Sequence, residues 1–220
     1  MSEEKRKLAY AIQNLEAVYG IPKNDCGDDP LDELIATILS QATTNQNSHR
    51  TFANLKRRFP DWEMARKARA SSIEREIKLG GLARQKSLRI KAILNQIYEQ
   101  RGNLDLSFLR DCPVEEAVDF LSQFSGVGPK TIGCVLLFAC KRSFFPMDVH
   151  IFRIARRLNL ISDKCSDKEA HEIMGKLIPR GKHYSAHINL IRHGRKVCRP
   201  RNPKCEDCCL VEYCEYQDVI

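Results

Sequence analysis

Hydrophobic residues recur along the chain at the three- and four-residue spacing of amphipathic helices. Near the N-terminus, Leu8, Ile12, Leu15 and Tyr19 would share one helix face. The same spacing recurs in two further windows, at Leu31, Leu34, Ile35, Ile38 and Leu39 and at Leu88, Ile90, Ile93, Leu94 and Ile97. No run shows the period-two alternation that is typical of half-buried strands. The sequence therefore predicts an all-α protein.

Turn residues separate the predicted helices. Asp29-Pro30 is typical of a helix start, because Asp accepts hydrogen bonds from free N–H groups and proline suits the first turn. A polar, loop-like stretch follows at residues 41–47, and Gly80-Gly81 predicts a sharp turn. An apolar helix is expected at 130–140, and a last long helix near 185–197.

Composition narrows the class of protein. The 220 residues, 43% of them hydrophobic, suffice for one domain or two small ones. A net charge of +8 favours polyanionic partners without selecting nucleic acid by itself. The N-terminal segment is typical of an amphipathic helix rather than a signal peptide, and no apolar run has membrane length. We therefore expect a cytoplasmic protein in which clustered cysteines bind metal.

Four of the ten cysteines form a regular motif. Cys198, Cys205, Cys208 and Cys214 follow the spacing C-x6-C-x2-C-x5-C. Four thiolates can hold zinc or a [4Fe–4S] cluster, and the spacing alone leaves both open. Cys209 fits no position of the motif, and the remaining five are predicted to be structural: Cys26, Cys112, Cys134, Cys140 and Cys165. The first loop also carries Arg199, Arg201 and Lys204, which either contact a backbone phosphate or form a solvated basic surface.

A glycine turn joins two predicted helices. Gly126, Val127 and Gly128 permit a tight turn with outward-pointing N–H groups, and the next helix begins directly after it. The positive end of that helix adds to the turn, so the unit predicts a phosphate site. Lys130 lies at this helix start. Burial there would favour a neutral, nucleophilic amine, whereas the alternative is an ordinary phosphate contact.

Asp148 is an acid among apolar residues, just ahead of a predicted helix from Val149. Its side chain can cap that helix. It can also stabilise positive charge or transfer protons, and the two roles are compatible.

These motifs, taken together, resemble the endonuclease III family. The resemblance extends from about Leu31 to Cys214, and it rests on five segments and the four cysteines: Ile38–Thr44, Gly81–Lys86, Gly126–Thr131, Met147–Arg153 and His193–Arg195. The family usually has Val-Asp-Thr-His where this chain has Met147-Asp148-Val149-His150. The acid is kept and the hydroxyl at 149 is absent, which bears on substrate preference.

The resemblance implies two helical domains with a DNA-binding cleft between them. One would span 24–140 and contain a helix-hairpin-helix motif at about 116–139. The other would join 1–23 to 141–220 and carry a [4Fe–4S] cluster in the loop 198–214. Gln41 would fill the gap left by a flipped nucleotide and Leu82 would wedge into the opposite strand, although Gln41 could simply end a helix and Leu82 could simply pack in the core.

The implied function is base excision repair. A monomeric, cytoplasmic protein of prokaryotic, nucleoid-associated type would bind double-stranded DNA with a damaged base or abasic site. Lys130 and Asp148 would form the catalytic pair of a glycosylase and lyase for oxidised pyrimidines. The alternatives are a monofunctional adenine or thymine mismatch glycosylase, whose relatives lack lysine at 130, and a non-catalytic DNA-binding module.

Overall fold

The regular structure of the chain is helical throughout. The computed structural model describes residues 2–24 and 27–216, and no β-strand occurs among them, which confirms the all-α prediction. Eleven α-helices lie within those residues: α1 Glu3–Tyr19, α2 Pro30–Ser40, α3 Asn45–Arg58, α4 Trp62–Lys67, α5 Ala70–Ile77, α6 Ala83–Arg101, α7 Val114–Ser122, α8 Pro129–Cys134, α9 Val149–Arg157, α10 Asp167–Leu177 and α11 His183–Lys196. None of them combines the length and apolar character needed to cross a lipid bilayer.

The chain divides into two compact units. Gly27–Cys140 forms one, called here the inserted unit, and it contains α2 to α8. Met1–Cys26 and Lys141–Ile220 form the other, called here the split unit, and it contains α1 and α9 to α11.

The inserted unit is built around α2. Its helix begins where the sequence predicts, because the Asp29 side chain accepts hydrogen bonds from the backbone N–H groups of Leu31 and Asp32. Leu34, Ile35, Ile38 and Leu39 are fully buried, and α2 packs against α3, α6 and α8. Each such side chain stabilises the fold by about 1.5–3 kcal/mol.

In the split unit, α1 packs against α11, and α11 also packs against α9. The predicted N-terminal face is confirmed for Leu8, Ile12 and Leu15, which are buried, whereas Tyr19 is half-buried. The cysteine loop lies on this core, with four partly buried thiols against it: Cys198, Cys208, Cys209 and Cys214.

Two helix boundaries differ from the prediction. The polar stretch at 41–47 is shorter than expected, because the Thr44 side chain accepts from the N–H of Asn47 and caps α3. The apolar helix at 130–140 changes form, with α8 ending at Cys134 and a π-helix continuing over Val135–Ala139. Its residues are mostly buried, so tertiary packing rather than local propensity sets this geometry.

Five cysteines lie outside the motif and away from its loop. Cys134 and Cys140 are buried, while Cys112 and Cys165 are half-buried. Cys26 lies outside the described residues.

Candidate functional site

The glycine turn lies at residues 124–128 of the inserted unit. Gly126 has φ +76°, and the Val127 N–H donates to the Phe124 carbonyl at 3.0 Å. A Cβ on Gly126 would displace the flexible end of the Arg89 side chain, so it is the positive φ that favours glycine here. Gly128 has φ −98° and open space beside it, so it carries neither constraint. Both glycines are exposed, while Val127 is buried beneath them.

Lys130 is the second residue of α8 and is exposed. The expectation that it would be buried is wrong, because α8 turns Thr131 and Ile132 inward and leaves Lys130 on the outer face. Desolvation of its amine therefore requires a bound ligand that covers it.

Gln41 joins the end of α2 to the glycine turn. Its Nε2 donates to the Gly126 carbonyl at 3.3 Å and to Thr131 Oγ1 at 3.4 Å. Its Oε1 accepts from Arg89 Nη1 at 2.9 Å. The structure thus brings together Gln41 and the hairpin, which are 85 residues apart in sequence.

Leu82 precedes α6 in a left-handed conformation, with φ 50° and ψ 32°. It is 56% exposed, so the alternative of core packing is wrong. Ala42 also has a positive φ, 52°, and a Cβ on Gly81 would lie 3.9 Å from the Ala42 carbonyl oxygen. The Gln41–Ala42 and Gly81–Leu82 loops are therefore neighbours. A strained, exposed leucine is typical of a residue kept for contact with a partner.

Two further residues of this region, Lys86 and Arg89, were given no role from the sequence. Lys86 is buried, and its Nζ donates to the carbonyls of Leu39 and Gly80 at 2.8 and 2.9 Å. Burial, followed by the charge of Arg89, lowers the pKa of Lys86. The sequence shows Lys86 and Arg89 at helical spacing after Leu82, but nothing in it distinguishes them from surface residues.

Asp148 belongs to the split unit and caps α9. Its Oδ1 accepts from the N–H groups of His150 and Ile151, each at 2.9 Å, so the capping role is confirmed. The side chain is buried, and its other oxygen, Oδ2, takes no part in the cap. Val149, at the position of the missing hydroxyl, is 73% exposed.

The four motif cysteines are free thiols that lie close enough to influence one another. Burial, together with the smaller effect of the charges of Cys209, Cys198 and Cys214, raises the pKa of Cys208 to about 11. The pKa of Cys214 is raised by burial and then by the charges of Cys198 and Cys205. Among residues 2–24 and 27–216, no three His, Cys, Asp or Glu side chains converge on one point as ligands of a single ion would.

Two side chains of the split unit approach these sulfurs. Arg157 Nη1 lies 3.2 Å from Cys198 Sγ, and His193 Nε2 lies 3.4 Å from Cys208 Sγ. A guanidinium that donates to a sulfur stabilises its thiolate, so the Arg157–Cys198 contact fits a thiolate-bound metal centre.

The basic residues of the first cysteine loop are exposed, namely Arg199, Arg201 and Lys204. The loop is held at both ends, because Arg157 Nη1 donates to the Arg199 carbonyl at 2.9 Å and the Lys204 N–H donates to the Val197 carbonyl at 3.1 Å.

Comparison with known proteins places this architecture. Residues 35–180 match the HhH-GPD superfamily of base excision DNA repair proteins. A predicted DNA glycosylase of Arabidopsis thaliana is 42% identical over 168 residues, and endonuclease III of Thermotoga maritima is 30% identical over 201 residues. These matches cover 76% and 91% of this chain, which spans 57% and 90% of the respective relatives.

The fold is also similar to that of a solved endonuclease III structure. The structure of a non-covalent endonuclease III–DNA complex superimposes with a TM-score of 0.81 and 23% identity, covering 96% of this chain and 95% of that one. The matches define a base excision DNA repair protein of the helix-hairpin-helix superfamily. Within it, the chain belongs to the endonuclease III family.

Proposed function

We propose that the chain is a bifunctional DNA glycosylase that removes oxidised pyrimidines and cleaves the strand at the resulting abasic site. The observation that carries the proposal is the position of Lys130. Its amine is exposed in the first turn of α8, two residues after the hairpin glycine Gly128. A DNA backbone bound to the hairpin amides would therefore pass beside a nucleophile.

The proposed reaction begins with attack of Lys130 Nζ on the sugar C1′. The C1′–N bond to the damaged base breaks, and the base leaves with a proton. The attached nitrogen then loses a proton to the ring oxygen O4′, the C1′–O4′ bond breaks, and an imine forms between Nζ and C1′. Removal of a C2′ proton then breaks the C3′–O bond and releases the 3′ phosphate by β-elimination.

Asp148 serves this reaction with the carboxylate oxygen that lies outside the helix cap. A carboxylate stabilises positive charge that develops on the sugar, and it can accept the proton that the amine gives up. Its cap hydrogen bonds to His150 and Ile151 hold the group in one orientation, so little reorganisation is needed during the reaction.

The flipped-out base leaves a gap in the duplex, which costs a few kcal/mol to open. We assign Gln41 to that gap and Leu82 to the opposite strand. Support comes from the contact of Gln41 with the hairpin, from the proximity of Gly81 to Ala42 and from the exposure of Leu82.

The four motif cysteines are proposed to hold a [4Fe–4S] cluster. A zinc ion would require all four sulfurs at about 2.3 Å from one point, whereas thiolates of a cluster bind separate irons and stand further apart. The cluster, rather than a zinc ion, is what membership of the endonuclease III family implies. When bound, it would fix the loop that presents Arg199, Arg201 and Lys204 to backbone phosphates.

Borohydride trapping tests the proposal. Reduction of the imine should leave the protein covalently attached to abasic DNA, with the adduct on Lys130 by mass spectrometry of the peptide. Lys130→Gln should abolish the adduct and strand cleavage while abasic-DNA binding persists, and Lys141→Gln is the matched control that keeps both. An adduct on another lysine would overturn the mechanism. Base release without any adduct would indicate a monofunctional enzyme, and neither activity would indicate a DNA-binding module.

The substrate class needs a separate measurement. Duplexes that each carry one lesion should be processed fastest when the lesion is an oxidised pyrimidine. Faster release of adenine or thymine from mismatches would contradict this assignment.

A further inference from the structure

The proposed reaction makes no use of one buried charge in the inserted unit. Lys86 lies in the first turns of α6 and is only 2% exposed. Its ammonium donates to the Leu39 carbonyl at 2.8 Å and to the Gly80 carbonyl at 2.9 Å. Lysine is almost never fully buried without such partners, because the charge loses its hydration.

The two carbonyls have a specific location. Leu39 precedes Gln41 by two residues, and Gly80 precedes Leu82 by two residues. One ammonium therefore ties together the starts of both loops that we assign to base extrusion. The following backbone is left-handed in each loop, at Ala42 and at Leu82, so neither loop is in a relaxed extended form.

A second contact from α6 continues the same connection. Arg89, almost one turn beyond Lys86, donates to Gln41 Oε1 at 2.9 Å and lies against Gly126 of the hairpin. One face of α6 thus contacts the Gln41 loop, the Leu82 loop and the glycine turn. If either carbonyl moves away, the buried charge at Lys86 loses a partner, so the separation of the loops is strongly determined.

We propose that Lys86 is a positioning residue for base extrusion, which fixes the Gln41 and Leu82 loops at the separation needed to enter the duplex together. The inference rests on the proposed glycosylase function. It assigns Lys86 no contact with DNA and no chemical step. Loss of the ammonium should therefore impair opening of the duplex and spare chemistry on a nucleotide that is already unpaired.

The chain offers a control on the same helix, the partly buried Lys91. Lys91 Nζ donates to the Ala68 carbonyl at 2.6 Å and also to the Arg66 carbonyl. It bridges two carbonyls as Lys86 does, but these lie at the end of α4, away from both loops. Lys86→Met and Lys91→Met each remove one bridging ammonium and keep the aliphatic chain.

Two measurements separate positioning from general destabilisation. The first compares lesion excision from a duplex with strand cleavage at an abasic site in a single strand, which needs no extrusion. The second follows the fluorescence of 2-aminopurine placed next to the lesion, which rises when the neighbouring base leaves the stack. Both use the whole 220-residue chain, with the folded fraction of each variant measured by circular dichroism.

Lys86→Met should slow duplex excision by about tenfold or more and suppress the fluorescence rise. Its single-strand cleavage, and both activities of Lys91→Met, should stay within about twofold of the parent. Equal losses in the two variants, or an equal loss on both substrates for Lys86→Met, would overturn the proposal. If Lys86→Met does not fold, Lys86→Gln replaces it, since its amide can still donate to one of the two carbonyls. A ratio of duplex excision to single-strand cleavage equal to that of the parent would then refute the positioning role.

Failure of the two proposals is distinguishable. Absence of single-strand cleavage by the parent protein would count against the lyase and leave the fluorescence measurement as the test of Lys86. Intact cleavage with an unchanged fluorescence rise in Lys86→Met would count against Lys86 alone.

Discussion

His171 Nε2 accepts a hydrogen bond from the backbone N–H of Met147 at 3.0 Å. On the other side, His187 Nδ1 donates to the Pro146 carbonyl at 2.9 Å, so two buried histidines hold the Pro146–Met147 peptide group, one residue before Asp148. His171 Nδ1 donates to the Asp167 carbonyl at 2.8 Å, which leaves Nε2 without a proton and able to accept. The backbone that leads into Asp148 is therefore fixed from both faces.

Removal of the acceptor at His171 should displace Asp148. We expect His171→Leu to lower the turnover number for base excision by about tenfold to a hundredfold, with DNA affinity unchanged. His171→Gln should retain most turnover, because the amide oxygen can accept from the Met147 N–H. Single-turnover kinetics and fluorescence anisotropy measure the two quantities. His183→Leu is the control. His183 is also buried in this unit, but its ring forms a hydrogen bond to the Gly175 carbonyl and none to the segment before Asp148. A similar turnover loss in His171→Gln would contradict the positioning argument.

Asp148→Asn should preserve folding and DNA binding and lose about 10²- to 10⁴-fold in turnover. The amide oxygen can still accept from the α9 N–H groups, but it carries no charge to stabilise the sugar cation. Asp29→Asn is a matched control, because Asp29 caps α2 with the same pair of backbone contacts. Thermal unfolding and excision rates should show small stability changes in both variants and a turnover loss in Asp148→Asn alone. Unfolding of Asp148→Asn would indicate that capping is its main role.

Gln41→Ala and Leu82→Ala should reduce excision from duplex DNA more than cleavage of an abasic site. Both side chains are proposed to offset the free-energy cost of unstacking the damaged base, and an abasic site has no base to unstack. Leu88→Ala serves as the control, since Leu88 is 54% exposed on α6, close to the 56% of Leu82. Unchanged duplex excision in both variants would show that the intercalation assignment is wrong.

The cysteine assignment predicts a brown protein with iron and sulfide in cluster proportions. Cys205→Ser and Cys208→Ser should each lose iron, destabilise the loop and weaken DNA binding, whereas Cys209→Ser should keep iron. Metal analysis and thermal unfolding provide the measurements. Stoichiometric zinc in a colourless protein would refute the cluster, and equal effects at all three positions would mean that the ligands are misassigned.

Local chemistry made much of the fold predictable. The caps at Asp29 and Asp148 follow from an acid placed before an apolar helical pattern. The turn at Gly126 follows from the need for a positive φ between two helices. These features depend on a few adjacent residues, and a sequence displays adjacent residues directly.

Features that depend on distant residues were not predictable. Lys86 resembles any lysine on an amphipathic helix, and its burial is decided by a carbonyl 47 residues away. The acceptor role of His171 requires Met147, 24 residues earlier, on another element. Lys130 shows the opposite error, since burial was expected at the start of its helix, while the phase of α8 places it outside.

The left-handed residues Ala42 and Leu82 have a consequence for engineering. Each carries a Cβ in a conformation that costs about 1–2 kcal/mol, and glycine would remove that strain. Glycine would also make the unfolded chain more flexible, which lowers stability by about 0.4–1 kcal/mol. Selection of variants for heat resistance alone should therefore enrich glycine at both positions, which sequencing of the survivors would reveal. At position 42 the gain should come without loss of repair. At position 82 glycine should remove the side chain that is proposed to enter the DNA duplex, so heat tolerance and repair would be selected in opposite directions at that residue.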